Sequence, residues 1–258
     1  MLFSAEHIVL SAISVFFIIR FFYLQMMNCN YSYSKNILKH ASVIMLILEI
    51  LRISWTTYYY GFSLKNIRFD WCNQVCLALP LIVLSGNKKL FPYIDILAFI
   101  GGTGVIIYPI WVFYDYAGLH FMSMQRMISH TLMVIISISM CFISNHWEKE
   151  RNIKKPLIGF ELIAVIAFIM SKLLNINYLL MMNADGIPLL KNFPFPWYFL
   201  IAIPCLVLVI NITKLMFQEI NNKIADRHIS IMLEYDNKSF KGLVEEEKIE
   251  ITQQLGIE

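Results

Sequence analysis

Apolar residues occur along this chain in long blocks rather than in alternation. Runs such as HIVLSAISVFFII, ASVIMLILEI, VCLALPLIVLS and TLMVIISISMCFI are separated by short stretches richer in Asn, Lys, Gly and Pro. A helix that crosses the hydrocarbon core of a bilayer needs roughly 20 mostly apolar residues. Seven segments approach or exceed that length: 6–27, 38–59, 69–86, 91–115, 122–145, 156–180 and 196–217. The pattern therefore predicts an all-α polytopic membrane protein, with a bundle of about seven transmembrane helices over residues 1–217. Past residue 217, EINNKIADRH and EEEKIE end the apolar run. Residues 218–258 are expected to form a short cytoplasmic tail with one short helix. No internal repeat is visible.

Composition agrees with the pattern. The 258 residues are 58% hydrophobic and 15% charged, whereas soluble domains carry about 25% charged residues. A net charge of +3 with no basic stripe gives no reason to expect a nucleic-acid partner, and no protein partner is readable. Five cysteines, lying mostly inside apolar runs, do not make a disulfide framework. The N-terminus has neither a basic n-region nor a small-residue cleavage site, so the first run is expected to stay as a helix. Cys72, Cys76 and a histidine lack the paired spacing of a zinc site, so neither a metal nor another cofactor is expected.

Lysine and arginine in short loops set the orientation. With the N-terminus outside, the cytoplasmic loops hold Lys35, Lys39, Lys88, Lys89, Lys149, Arg151, Lys154 and Lys155. The opposite loops hold Lys65, Arg68, Arg126 and Lys191. The expectation is a multi-pass protein of the cell membrane, N-terminus outside and C-terminus cytoplasmic. In that frame the polar residues of the spans gather towards one side. His7 opens the first span, and Glu49 and Arg52 lie in the outer half of the second. Cys72 stands about one turn into the third, and Asp115 and His120 flank the outer end of the fourth. His130 lies about two turns into the fifth, and Lys172, Asn175 and Asn177 close the sixth. Ionisable groups within spans are costly and face a cavity or a partner, so a polar cavity open to the outer leaflet is the simplest common cause. Plainer readings exist for each. Glu49 and Arg52, three apart on one helical face, can simply neutralise each other. A buried cysteine behaves as a small hydrophobe, and a histidine in a span can bond a neighbouring helix. GGTG at 101–104 is read as a close approach of two helices.

Several of these positions fall into a known pattern. FSAEHIVL resembles an opening Phe-Ser-x-x-His. Glu49 stands where that pattern has a glutamate. Counting back from Leu79-Pro80, a cysteine at the start of the third span lands on Cys72, with Asp70 where a histidine is common. Ser129-His130 matches a Ser-His pair, and His120 matches a histidine ten residues earlier. NINYLLMMNADGIPLLKNFPFPWYFL, residues 175–200, is similar to a closing Asn-Tyr…Pro-Trp-Pro-Trp-Tyr signature, which brings in Asn177, Tyr178 and Trp197. Over most of residues 1–200 the chain resembles the bacterial YwaF-type integral membrane proteins and their relatives, the transmembrane-protein-164 acyltransferases. More distantly it resembles the androgen-induced-gene hydrolases of fatty-acid esters. The resemblance implies a membrane acyltransferase that works through Cys72 and His130, with Glu49, Asp70, His120, Asn177, Tyr178 and Trp197 binding substrate or supporting the site; Arg52, beside Glu49, and Arg126, beside His130, join them by their spacing.

The chemistry is consistent with the residue types. A thiolate is the strongest common side-chain nucleophile towards an ester carbonyl. A histidine is the base best suited to take the thiol's proton near neutrality. An acyl chain from a membrane phospholipid would rest on sulfur as a thioester until a lyso-lipid, another acceptor or water removed it. Arg126, one helical turn from His130, is spaced to hold a lipid phosphate; as an interface arginine it would only snorkel. The alternatives are a small-molecule transporter, for which no inverted repeat is visible, and an inactive member that keeps only the fold.

Overall fold

The computed structural model describes residues 5–28, 31–108, 116, 119–143, 153–180 and 197–254, with the backbone alone for 180 and 228–254. Seven α-helices and no strand occur among the described residues. They are α1 (Ala5–Asn28), α2 (Tyr31–Tyr60), α3 (Trp71–Ser85), α4 (Phe91–Ile107), α5 (Phe121–Ile143), α6 (Lys154–Leu174) and α7 (Phe199–Gln254). Five segments are long and apolar enough to cross a membrane: α1, Lys88–Ile107, α5, α6 and Phe199–Arg227. The other two depart for visible reasons. α2 is long, but its apolar middle carries Lys39, Glu49 and Arg52. α3 has 15 residues, too few for the roughly 20 of a full span.

α5 is the centre of the bundle. In its most apolar stretch 78% of residues are buried, against 11% in α1 and 17% in both α6 and α7. α4, α2 and α1 pack around it, α6 and α7 pack on α4, and α3 lies between α2 and α4. Lipid is as apolar as leucine, so helices in a membrane associate through close packing and interhelical hydrogen bonds. Both are present here. Gln25 Nε2 donates to Ser139 Oγ at 2.9 Å, joining α1 to α5. Ser11 Oγ donates to the Ile106 carbonyl at 2.8 Å, joining α1 to α4. Ser137 Oγ donates to the Asp95 carbonyl at 2.9 Å, joining α5 to α4. Gln74 Nε2 donates to the Ile163 carbonyl at 3.0 Å, joining α3 to α6. Gly159 of α6 sits against the carbonyl of Tyr93, where any Cβ would collide with backbone.

Several boundaries differ from the expected ones. α4 ends at Ile107, where Tyr108 leaves helical geometry, so the expected continuation to 115 is not helical at 108 and otherwise lies outside the described residues. α6 ends at Leu174 on Asn175, which has left-handed geometry (φ 53°). A 3-10 turn at Tyr178–Leu180 follows, with Leu179 also at positive φ (51°). The chain after residue 217 does not form a separate short helix. α7 continues unbroken from the span to Gln254; at 1.5 Å per residue it is about 84 Å long, well beyond the roughly 30 Å hydrocarbon core.

Candidate functional site

The shortness of α3 follows from where it starts. The segment between α2 and α3 turns back into the bundle instead of staying at its end. A 3-10 turn, Leu64–Asn66, is held by Ser63 Oγ accepting from Lys65 N at 3.2 Å. Asn66 Nδ2 donates to the Gly61 carbonyl at 2.7 Å. Its carbonyl accepts from Arg52 Nη1 at 3.1 Å, eight residues before the end of α2, or about 12 Å along the helix. Irregular backbone at this depth is tolerated where protein or a wet cavity satisfies it, and Arg52 does so here. The same arginine donates through Nε to Glu49 Oε1 at 2.9 Å and through Nη2 to the same oxygen. Both side chains are almost wholly buried, at 1% and 2% exposure. The pair therefore neutralises charge and also holds the re-entrant segment.

That segment delivers Trp71 and Cys72, the first residues of α3, into the interior. Asp70 occupies the N-cap position with extended geometry, yet its side chain makes no capping bond. Its carboxylate accepts instead from Arg68 Nε at 3.0 Å and from Asn73 Nδ2 at 3.4 Å. The amides of the first turn, which have no partner within a helix, are thus left without the usual side-chain acceptor. Cys72 Sγ rests 4.0 Å from the Gly101 carbonyl. Gly101 is six residues, about 9 Å, from the end of α4, so the thiol lies well below the helix ends.

Two consecutive glycines of α4 let the start of α3 and the His130 turn of α5 approach the same stretch of helix. A Cβ on Gly101 would stand 3.4 Å from Cys72 Sγ, 3.6 Å from Trp71 Nε1 and 3.2 Å from Met133 Cε. A Cβ on Gly102 would stand 2.7 Å from both the His130 carbonyl oxygen and Val134 Cγ2. The GGTG stretch is a close helix approach, as expected, but through its first two glycines; Gly104 faces open space. One turn further along, α3 meets α5 directly, with Cys76 Sγ 3.6 Å from Met133 Sδ. The Cys72 thiol therefore rests on Gly101 and the backbone carbonyl of His130 on the adjacent Gly102, at one level of the bundle. The Cys72 and His130 side chains do not hydrogen-bond each other.

His130 is 7% exposed, and its Nδ1 lies 2.6 Å from the Arg126 carbonyl oxygen. A carbonyl only accepts, so Nδ1 carries the proton and Nε2 keeps its lone pair. Nε2 is buried and has no hydrogen-bond partner among the described residues. Backbone geometry alone thus selects the tautomer a general base requires.

The other expected residues lie around this centre or apart from it. His120 stands at the start of α5, where its Nδ1 accepts from Met122 N at 3.2 Å. Its ring stacks on Tyr116 with centroids 4.5 Å apart and meets Trp55 edge-on at 5.4 Å. Arg126 stands over the Tyr116 ring at 5.7 Å, so this arginine belongs to the same aromatic cluster. Tyr178 is buried, with its amide on Ser171 Oγ at 3.0 Å and its ring 5.7 Å from Phe69. Asn177 is half-buried in the same turn, and Trp197 is exposed. His7 is buried in α1. Asp115 and Lys191 lie outside the described residues.

Three residues passed over in the sequence stand out in the structure. Asp95 is fully buried in α4. Glu161 is exposed on the apolar α6. Trp71 has its Nε1 buried without a partner among the described residues. Trp71 also forms one wall of an apolar cavity of about 410 Å³, lined with Phe160, Glu161, Leu179, Ala202 and Leu206 among others. That volume falls within the roughly 300–1,000 Å³ of small-molecule sites. The strained Leu179 is part of its lining, and positive φ in a residue with a Cβ costs about 1–2 kcal/mol. No group of three His, Cys, Asp or Glu side chains able to hold a metal ion occurs among the described residues.

No match was found among curated proteins or among solved structures. The model of the TMEM164 family matches residues 2–214, from the start of α1 through the apolar part of α7, and the chain belongs to that family.

Proposed function

We propose that this protein is a membrane acyltransferase that passes a fatty acyl chain from a phospholipid through Cys72, with His130 as the base. The observation that carries the reading is the state of His130. A buried imidazole whose Nδ1 is committed to a backbone carbonyl offers an Nε2 lone pair with no partner among the described residues, on the residue whose own carbonyl packs on Gly102, next to the Gly101 on which the Cys72 thiol rests. A histidine serving only as a helix-to-helix bond would have that nitrogen satisfied.

The chemistry proceeds in two halves. His130 Nε2 takes the thiol proton, and Sγ attacks the ester carbonyl carbon. The tetrahedral adduct collapses, the carbon–oxygen bond to the lyso-lipid breaks, and the departing alkoxide takes the proton back from the imidazolium. The acyl chain is then a thioester on Cys72. An acceptor hydroxyl, deprotonated by the same imidazole, attacks the thioester and restores the thiol; water as acceptor gives hydrolysis. The free amides at the start of α3 favour negative charge beside Cys72. The apolar cavity behind Trp71 suits a hydrocarbon chain. Glu49 and Arg52 act at one remove, by holding the segment that presents Cys72. The lipids of the outer leaflet are the proposed substrates.

Purified protein in nanodiscs, supplied with a fluorescent phosphatidylcholine and an unlabelled lyso-lipid, tests the reading. Transfer should disappear in Cys72→Ala and persist in Cys76→Ala. General-base help is worth about 10²–10⁴-fold, so His130→Ala should fall by that order. Full transfer in Cys72→Ala ends the proposal.

A further inference from the structure

We infer that the indole N–H of Trp71 is the donor that stabilises the oxyanion formed when Cys72 attacks the ester. The inference deepens the acyltransferase reading and rests on it. Three observations converge. Trp71 Nε1 is buried and has no acceptor among the described residues, although a buried indole N–H ordinarily finds one. It borders the same point over Gly101 as the nucleophile does, with Nε1 at 3.6 Å and Sγ at 3.4 Å from where a Cβ would stand. Position 101, being glycine, contributes no side chain of its own there. The third wall is the methyl of Met133 at 3.2 Å, which accepts no hydrogen bond. An unmatched donor and a nucleophile that share one space are what a tetrahedral adduct requires. As the Sγ–C bond forms, the carbonyl π pair moves onto oxygen, and that oxygen becomes the acceptor Nε1 lacks. The pair returns as the bond to the leaving lyso-lipid oxygen breaks.

The position of the ring supports this assignment. Trp71 precedes Cys72, so the re-entrant segment held by Arg52 places both at once. The indole is braced edge-on by Phe160 of α6, with centroids 5.4 Å apart. Its remaining surface lines the apolar cavity, so an acyl chain lying there would bring its carbonyl past the indole towards Sγ. Trp71 would then be a catalytic residue, touching the reacting oxygen, and not only a wall.

Replacing the N–H alone separates the two roles. Trp71→benzothienylalanine keeps the bicyclic shape and puts sulfur in place of N–H, and Trp71→Phe serves as a second variant. Two rates are read by mass spectrometry of intact protein in nanodiscs: acylation of Cys72 by phosphatidylcholine, and alkylation of Cys72 by iodoacetamide. Alkylation passes through no oxyanion, so it reports the thiol and its access alone. Loss of one such donor typically costs about 10²–10³-fold. Acylation should fall by that factor in both variants while alkylation stays at the wild-type rate. Acylation at the wild-type rate in Trp71→benzothienylalanine would overturn the inference, and so would an equal fall in both rates. Wild-type protein that is alkylated at Cys72 but never acylated would instead overturn the acyltransferase reading, and this inference with it.

Discussion

Adding one methyl group at either of two neighbouring glycines should have opposite consequences. At Gly102 a Cβ would meet the His130 carbonyl oxygen and Val134 Cγ2, both at 2.7 Å, and Met133 Cβ at 3.2 Å. The first is backbone and the second a stiff β-branched side chain, so α4 and α5 must separate by several tenths of an ångström. Overpacking of this kind costs about 1–3 kcal/mol, offset in part by the roughly 1 kcal/mol that alanine gains over glycine inside a helix. At Gly101 the nearest atom, at 3.2 Å, is the end of a flexible methionine, which can move aside at little cost. The propensity gain should then leave Gly101→Ala as stable as wild type or more so. Its methyl, however, occupies the space bordered by Cys72 Sγ and Trp71 Nε1, where the proposed reaction brings the ester carbonyl. Gly101→Ala should therefore be folded and inactive, with Gly102→Ala the less stable of the two. Thermal unfolding in detergent followed by tryptophan fluorescence, with acyl transfer measured on the same samples, checks both. Full activity in Gly101→Ala would refute the placement of the reaction over Gly101. A lower melting temperature for Gly101→Ala than for Gly102→Ala would refute the packing argument.

Three further outcomes are expected. Arg52→Met strands the buried Glu49 carboxylate, and breaking a buried pair commonly costs about 3–5 kcal/mol, so yield and thermal stability should drop sharply. Glu49→Leu with Arg52→Met removes both charges and should recover most of that stability without recovering activity, because the Asn66 carbonyl has lost its donor; full activity in the double variant would make the pair merely structural. Gly159→Ala drives a methyl into the Tyr93 carbonyl and should prevent α6 from seating on α4, read as loss of folded protein in detergent. Ala164→Leu reaches into the apolar cavity and should shift transfer towards shorter acyl chains in a competition of phosphatidylcholines; an unchanged chain profile would remove the cavity from the account.

The helices were legible because lipid imposes a simple rule of length and apolarity, and α1, α5 and α6 follow it closely. α3 was less so. Its depth depends on a carbonyl of Asn66 meeting Arg52, fourteen residues earlier, and no local pattern encodes that contact. The continuation of α7 was missed for a related reason. Charged sequence after residue 217 marks departure from the membrane, but a helix need not stop where lipid does. Among the candidate site residues, Cys72 and His130 were visible as polar groups in apolar runs. Trp71 was not, since a tryptophan in such a run reads as bulk and its N–H becomes conspicuous only when burial leaves it without an acceptor. Arg126 was read as a lipid-phosphate contact or a snorkelling interface arginine, and its stacking over Tyr116 joins residues ten apart that no local pattern pairs.

The central claim is that Cys72 carries the acyl chain. Its most direct test is intact mass spectrometry of the purified protein after incubation with phosphatidylcholine of one defined chain, with no acceptor added. The account predicts a mass increase of one acyl group, located at Cys72 by peptide analysis, released by neutral hydroxylamine and absent from Cys72→Ala. A stable adduct on another residue, or acyl transfer that proceeds with Cys72 never modified, would contradict it.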